Sequence, residues 1–598
     1  MCRWKYIVSG MLFLCSGLGA QEYDSYSVIS EFFGNVSAEE TDADDAASME
    51  RLLSRPLRVN MASPSRIKES GLFTHYQMIC LMDYLTRHGD ILSLTELSAV
   101  DGFGEDFVRK LAPFISLESN RLPGHTRQEG GTLFHELDIK TSVQRNDDIM
   151  GQYAMKYRLE AGDRIQAGVA LYGSYDAFRP QAFSGHFIWN FRRYSAKIVA
   201  GDFNARFAQG LTLWNGMGIS GLNRPSSYLK RASGISASNS FTGNYAMRGI
   251  AAESLVGKFR ITAFTALTSD KDGAGLLPAA NISWLWRNGQ AGVTHYASSV
   301  LSGHDMVLKD MKTSCDMCLT INGVDCFCET AYDWISQAVA SVAGSVFPAG
   351  ESARMAVMLR YYPSSYNPSY TSAARALTRC SNEYGVSASS EFSCGSRLTV
   401  NGREGFGSSV RRFDGAVCVD MAYFPVSKSS DGSRSMQARC LAEMKVMLSD
   451  ALALKLRVSE RLRTWGRYNR TDLRSEIFYY SRMIDVVLRF NAVRSASWSY
   501  LAYTESSLQA GNVRFSLRIG LFFIDDWDDR IYAYERDIPG SFNVPAFYGR
   551  GCWTSLTGNW RFARWGRLYL RASVTGYPFM QKKKPGKAEL KLMLKFQI

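Results

Sequence analysis

The chain has 598 residues, with 69 basic and 56 acidic side chains, 30 Tyr, 33 Phe, 12 Trp and 50 Gly against only 15 Pro. That is too long for one ordinary domain, and it is rich in strand formers, turn formers and the aromatic residues that girdle membrane barrels. Beyond the first twenty residues no stretch holds eighteen uncharged apolar residues, and no Walker loop, dinucleotide fingerprint or HExxH occurs, so a membrane-spanning helix and those enzyme classes are excluded.

The chain opens with Arg3 and Lys5, a short apolar run from Ile7 to Leu14, and the small residues Ser16, Gly17, Gly19 and Ala20. This reads as a secretion signal over 1–20, cleaved after Ala20. Residues 21–50 carry nine acids and no bases, which predicts a solvated acidic linker. Residues 51–118 carry eight charges of each sign and read as short helices separated by Gly turns. Everything from 119 onward holds 59 bases and 39 acids, so the whole basic surplus lies there.

From about residue 130 to the end the pattern changes to period two. Leu137, Ile139, Thr141 and Val143 alternate with polar residues, as do Ile165, Ala167, Val169 and Leu171. Leu452, Leu454, Leu456 and Val458 are interleaved with Lys455 and Arg457. Later come Val513, Phe515, Leu517 and Ile519, then Leu568, Leu570, Ala572 and Val574. The final twelve residues place Leu590, Leu592, Leu594, Phe596 and Ile598 on one face of a strand. Two architectures share this periodicity: a soluble sandwich with charges to solvent, and a membrane barrel with charges to a wet lumen. Export, the terminal strand and the number of strands favour the barrel. The expected fold is therefore mainly β: a transmembrane antiparallel β-barrel over 130–598, of about 14–18 strands at nine to eleven residues per span. A small all-α domain precedes it.

The helical part carries a resemblance. Val100-Asp101-Gly102-Phe103-Gly104 leads into Glu105-Asp106-Phe107-Val108-Arg109-Lys110-Leu111, an h-x-Gly-h-Gly hairpin followed by a helix. Upstream, Leu57 to Ser63 supplies Asn60 and Ser63 as caps, and Gly89 to Leu97 links two such units. The first hairpin, Ser70-Gly71-Leu72-Phe73-Thr74, departs from the pattern because Phe73 replaces the second Gly. This segment resembles the helix-hairpin-helix module of competence-type DNA-binding proteins. The whole chain resembles the exported helix-hairpin-helix proteins of Bacteroidetes-type bacteria, whose larger part is an outer-membrane barrel. Gly201-Asp202-Phe203 with Gln209 to Trp214, and Arg530 to Glu535 with Phe547 to Gly551, also fit that family.

The resemblance implies a barrel in the outer membrane with its N-terminal domain in the periplasm, and a role in envelope transport, docking or assembly. Its partners would be outer-membrane lipid or lipopolysaccharide, a periplasmic protein, or DNA. Nucleic-acid binding would rest on Gly71, Gly102 and Gly104, whose backbone N–H groups approach a phosphate, with Arg109 and Lys110 one turn on. Asp101, Glu105 and Asp106 would repel that phosphate, and a module of zero net charge lacks a basic footprint. Docking of protein is therefore the favoured role.

Other constellations are weaker. Cys315, Cys318, Cys326 and Cys328 could hold Zn²⁺ as thiolates, but the one-residue spacing of the second pair favours two disulfides or thiols in an external loop, with Cys380 and Cys394 as a further pair. Asp525, Asp526, Asp528 and Asp529 read as a solvated turn rather than a Ca²⁺ loop. Ser227-x-x-Lys230 matches the shortest serine-acylase motif at chance level. A barrel hydrolase would use His186, His295 or His304, yet none has a persuasive neighbouring Ser or acid. No cofactor and no enzymatic activity is expected.

Overall fold

The computed structural model describes residues 25–34, 43–119 and 133–598, except 147, 163, 177–179, 192–195, 217–219, 239–245, 271–272, 303–304, 351, 396–411, 430, 467–468, 482 and 581–583. The proposed signal 1–20 and His304 lie outside the described residues.

From Leu133 onward, antiparallel strands follow one another around a single closed sheet. The last strand, Lys587–Gln597, pairs with the first, Leu133–Arg145, through Leu594 opposite Ile139 and Leu590 opposite Val143. The alternating tail thus closes the cylinder. Among the described residues the wall has 24 strands, besides a stub at Gly234–Ala237 that pairs with Phe203 to Arg206. This corrects the expected 14–18. Many connections at one end are only two residues long, as at Gly257–Lys258 and Asn322–Gly323, so more strands fit into the chain than longer loops would allow.

The alternation read from sequence resolves into an outer and an inner face. Val458, Leu517, Ile519, Leu590 and Leu594 point outward and are exposed, while Lys455, Arg457 and Lys595 point inward. An exposed apolar wall running round a whole barrel far exceeds the few hundred Å² that soluble proteins tolerate. It is a surface for hydrocarbon, and the sandwich alternative falls because no second sheet covers it among the described residues. Exposed aromatic residues gather at both rims. Trp189, Trp284, Tyr479, Trp560 and Trp565 ring the end at which the first wall strand begins and the last one finishes. Trp334, Tyr361, Tyr384, Trp498 and Tyr500 ring the far end. Two such girdles are where amphipathic rings meet the two headgroup layers. No helix among the described residues is long and apolar enough to cross a membrane.

Residues 57–118 fold as expected into short helices: Pro64–Glu69, His75–His88, Leu94–Ser98 and Gly104–Leu111. Ser63 caps the first by accepting the Arg66 N–H at 3.4 Å, and Thr74 and Gln77 form a reciprocal capping box on the second. Asn60 is not a cap. Its side chain accepts the Ile91 N–H and donates to the Ile91 carbonyl, each at 2.9 Å, pinning the first segment to the linking stretch. Of the acidic stretch 21–50, residues 21–24 and 35–42 lie outside the described residues, and the rest is helical rather than a solvated linker. Ser25–Phe33 and Ala43–Ser54 are helices whose Ile29, Phe32 and Met49 join the buried core around Leu72, Leu97, Phe103 and Leu111. Their apolar residues recur at helical spacing, and that burial outweighs the solvation of their acids.

Candidate functional site

The lumen is filled from both ends, and the filling is the feature most able to carry function. At the far end three long connections turn inward: between Arg206 and Met247, between Tyr362 and Glu383, and between Ile524 and Gly549. The first two pack Leu211, Tyr228, Leu229, Tyr366 and Ala373 against inward residues of the wall, Phe327, Val342 and Met358 among them. The Tyr366 hydroxyl donates to the Leu211 carbonyl at 2.9 Å, so the two connections also hold each other. The third packs Ile531, Ala533 and Phe547 on Leu501, Phe522 and Trp553.

Buried ions fix these segments in place. Glu329 on the wall accepts the backbone N–H groups of Gln209, Leu211 and Thr212 at 2.9, 2.9 and 3.1 Å. Ala208 and Gly210 take positive φ of 49° and 78°, which turns successive N–H groups toward one carboxylate. Arg360 lies between Glu383 at 2.8 Å and Asp420 at 2.7 Å with all three side chains fully buried. Arg571 meets Glu535 of the third connection at 2.6 Å, and Lys591 meets Asp537 at 2.6 Å. Unpaired, any of these charges would be costly in so dry a place, so each pair defines one seating of its segment.

At the other end the helical module is seated on inward charges of the strands. Glu160 receives Arg55 at 2.7 Å and Arg66 at 3.1 Å. Lys68 reaches Glu253 at 3.3 Å, Glu69 reaches Lys197 at 2.6 Å, and Lys110 approaches Glu391 at 3.9 Å. The two fillings touch. The Arg231 guanidinium of the first connection lies 4.5 Å from the Phe32 ring centroid, and the Arg224 N–H donates to the Gly34 carbonyl at 3.2 Å. Ala46 packs with Tyr534 of the third connection. Burial, then the nearby Arg260 charge, holds Lys68 down to about 7 and His75 down to about 4. The module is therefore docked largely through polar contacts, several of which titrate.

The residues singled out from sequence fall in several places. Gly71, Gly102 and Gly104 adopt positive φ of 65°, 82° and 66°, the conformation the hairpins need. The first hairpin, with Gly71, is flanked by Lys68, Glu69 and His75, all turned to the barrel. The second, with Gly102 and Gly104, is exposed. There Arg109 pairs with Asp106, and Lys110 lies 3.0 Å from the same carboxylate, so both cations are already engaged.

The cysteines differ from expectation. Cys315, Cys318, Cys326 and Cys328 sit on two paired strands of the wall, not in a loop, and register sets Met317 opposite Cys328 and Leu319 opposite Cys326. Alternation sends Cys315, Cys326 and Cys328 outward and Cys318 inward, so they converge on no common centre. All ten described cysteines are free, Cys380 and Cys394 included, and no metal-holding cluster of His, Cys, Asp or Glu occurs among the described residues.

The remaining candidates are structural in their contacts. Asp525 pairs with Arg550 through two 2.7 Å bonds, and Asp529 is buried against Ser495 rather than solvated. The Ser227 hydroxyl donates to the Arg224 carbonyl and the Lys230 ammonium to the Ser372 carbonyl, so the two are not aimed at each other. His186 is buried facing the lumen with Nδ1 3.1 Å from the Ser238 carbonyl, while His295 is exposed on the outer face beside Thr313.

No protein-family profile matches the chain, and no curated protein does. Solved structures do. The siderophore receptor PirA from Pseudomonas aeruginosa aligns over 79% of this chain and 82% of its own at 8% identity, with a TM-score of 0.40. The translocation pore of the P pilus usher PapC aligns over 78% and 99% at 9% identity, TM-score 0.32. The P. aeruginosa protein OpdK with vanillate aligns over 78% and 98% at 8% identity, TM-score 0.27. Likeness of this degree carries no functional inference; the closed register establishes the barrel by itself.

Proposed function

We propose that the protein is an outer-membrane barrel that serves as a gated conduit, with the N-terminal helices as a periplasmic plug. One observation carries this reading: a 24-strand wall wide enough for an aqueous lumen is closed at the end of its short turns by a helical module seated on the strands through ion pairs rather than through a continuous apolar core. Ion pairs can be exchanged for water at modest net cost, whereas a packed core cannot. The end carrying the plug also carries the strand termini and the short turns, as the periplasmic side of such barrels does.

The plug is itself read as a tandem helix-hairpin-helix unit, supported by the three positive-φ glycines. Its exposed second hairpin presents Asp101, Glu105 and Asp106, which suits a docking protein better than DNA. Planar-bilayer recording tests the conduit. The full chain is expected to be nearly silent, and a Glu160→Gln, Glu253→Gln double variant to open long-lived conductances by loosening both anchors. Silence in that variant and in a chain lacking residues 25–118 would overturn the reading.

A further inference from the structure

We infer that one sector of the lumen wall is a binding track for multivalent oxyanions, compounds that carry several phosphate or sulfate groups in a row. This rests on the conduit reading and names what it would admit. The sector is formed by three neighbouring strands, Ser435–Met447, Leu452–Arg463 and Arg470–Tyr480. Their outward residues Met436, Val458, Leu462, Ile477 and Tyr479 are exposed and apolar, which fixes the opposite parity as lumenal.

That parity carries Arg439 and Lys445 on the first strand, Lys455, Arg457, Arg461 and Arg463 on the second, and Arg470 and Arg474 on the third. Against these eight bases stand three acids of the same faces, Glu443, Asp472 and Glu476. The acids are shared: Glu443 also faces Arg224 of the inward connection, and Glu476 faces Arg489 of the next strand at 3.8 Å. Asp420, which Arg439 meets at 2.6 Å, is likewise held by Arg360. Other sectors carry lumenal charges that are paired base to acid, such as Arg518 with Glu505 and Lys595 with Glu136, or carry none. The lumenal residues of Gly273–Trp286, such as Leu277, Ala279, Asn281 and Ser283, are uncharged.

Register sharpens the point. Arg439 lies directly opposite Arg461, and Arg461 opposite Arg470, so three guanidinium side chains share one row across three strands. Arg457 faces Arg474 on one side and Glu443 on the other, and Lys455 faces Lys445 on one side and Glu476 on the other, with its ammonium 3.1 Å from Glu443. Like charges directly opposite in a sheet destabilise it, and such pairs are relieved when anionic oxygens lie between them. The rows of Arg457 with Arg474 and of Arg439 with Arg461 and Arg470 lie four residues apart, about 13 Å along the strands, with Leu441, Ser459 and Asp472 between them, so a solute with several anionic groups, rather than a single ion, is needed to reach both. Arginine dominates these rows, and its planar fork suits bidentate phosphate or sulfate contact. All eight bases are half-buried, within reach of water-borne solute, and they climb from Lys455 toward Arg463 at the far rim. Aromatic Trp465 stands just beyond it, beneath the Arg463 guanidinium.

Isothermal titration of inorganic tripolyphosphate into the detergent-solubilised full chain tests the track. Binding at low salt is expected, weakening steeply as salt rises. An Arg457→Gln, Arg461→Gln, Arg474→Gln variant should bind at least about tenfold more weakly, since each lost contact is charge-assisted. Arg87→Gln on the outer surface of the module should change nothing. Should the triple variant fail to fold, single Arg457→Gln carries the test through a shallower salt dependence. A parallel titration with deacylated lipid A, a bisphosphorylated sugar, separates a soluble polyphosphate from a lipid-derived headgroup; either one binding supports the track. Binding of neither at low salt, or equal binding by the triple variant, overturns it. Because titration needs no current, a sealed barrel that binds would sink the conduit alone, and a conductive one that does not bind would sink only the track.

Discussion

Glu329 shows how a single side chain can decide where a long connection lies. Its carboxylate is the common acceptor for three closely spaced N–H donors on the segment after Arg206, and both groups are fully shielded from water. Replacing it by glutamine keeps the size but removes the charge and turns an amide N–H₂ toward donors. The expected loss is about 2 kcal/mol of local stability, seen as roughly 30-fold faster hydrogen exchange at the Leu211 and Thr212 amides. Exchange unchanged at those amides would mean that the apolar contacts of Leu211 alone seat the loop. The same logic applies at Arg360, whose two carboxylate partners are fully buried, so that truncating either leaves a charge without compensation.

Strands are the scale at which the wall meets lipid. Leu592 lies mid-strand on the outer face of Lys587–Gln597, paired between Leu570 and Thr141. A Leu592→Lys change places an ammonium in hydrocarbon and should cost about 2–4 kcal/mol, whereas Leu133→Lys at the rim should cost about 0–1 kcal/mol. Denaturant unfolding from lipid vesicles measures both, and equal costs would place Leu592 in water. Much of this scale was legible beforehand, because period two is a local property: every alternating segment read from sequence is a wall strand with its aliphatics outward. The helices of 57–118 were legible through their caps and glycines. What stayed hidden was long-range. Nothing in the sequence separates the inward connections from surface loops, since their apolar residues look like loop residues until the wall closes around them. The four cysteines misled for the same reason: close spacing suggested a common loop, whereas they are spread along two wall strands with Cys318 alone turned to the lumen. The basic sector needed register, for Arg439, Arg461 and Arg470 become one row only when three strands are aligned.

Taken whole, the molecule is a rigid cylinder with a smaller body seated in it through charged contacts, and the two should not respond alike to pH. His75 sits at that seam with both ring nitrogens buried, and burial holds it down to about 4 against an ordinary value near 6.5. An undocked His75 therefore binds a proton that the docked one refuses. Docking is at full strength above about pH 6.5 on this account and weakens as pH falls from there toward 4. Lys68, held down to about 7, acts in the same sense at higher pH: its undocked form gains a proton below about 10.5, so docking tightens as the solution becomes more alkaline than 7. The barrel, closed by backbone hydrogen bonds that do not titrate, should stay folded throughout. Limited proteolysis in detergent makes the comparison: cleavage within 43–119 should rise from pH 7 to pH 4.5 while the wall remains intact. His75→Gln, which cannot gain the proton, should flatten the lower part of that rise. A variant that follows the wild-type profile would show that His75 does not set the acid response, since the carboxylate anchors Glu160 and Glu253, each paired with a base, lose their contribution only as pH falls below about 4.5.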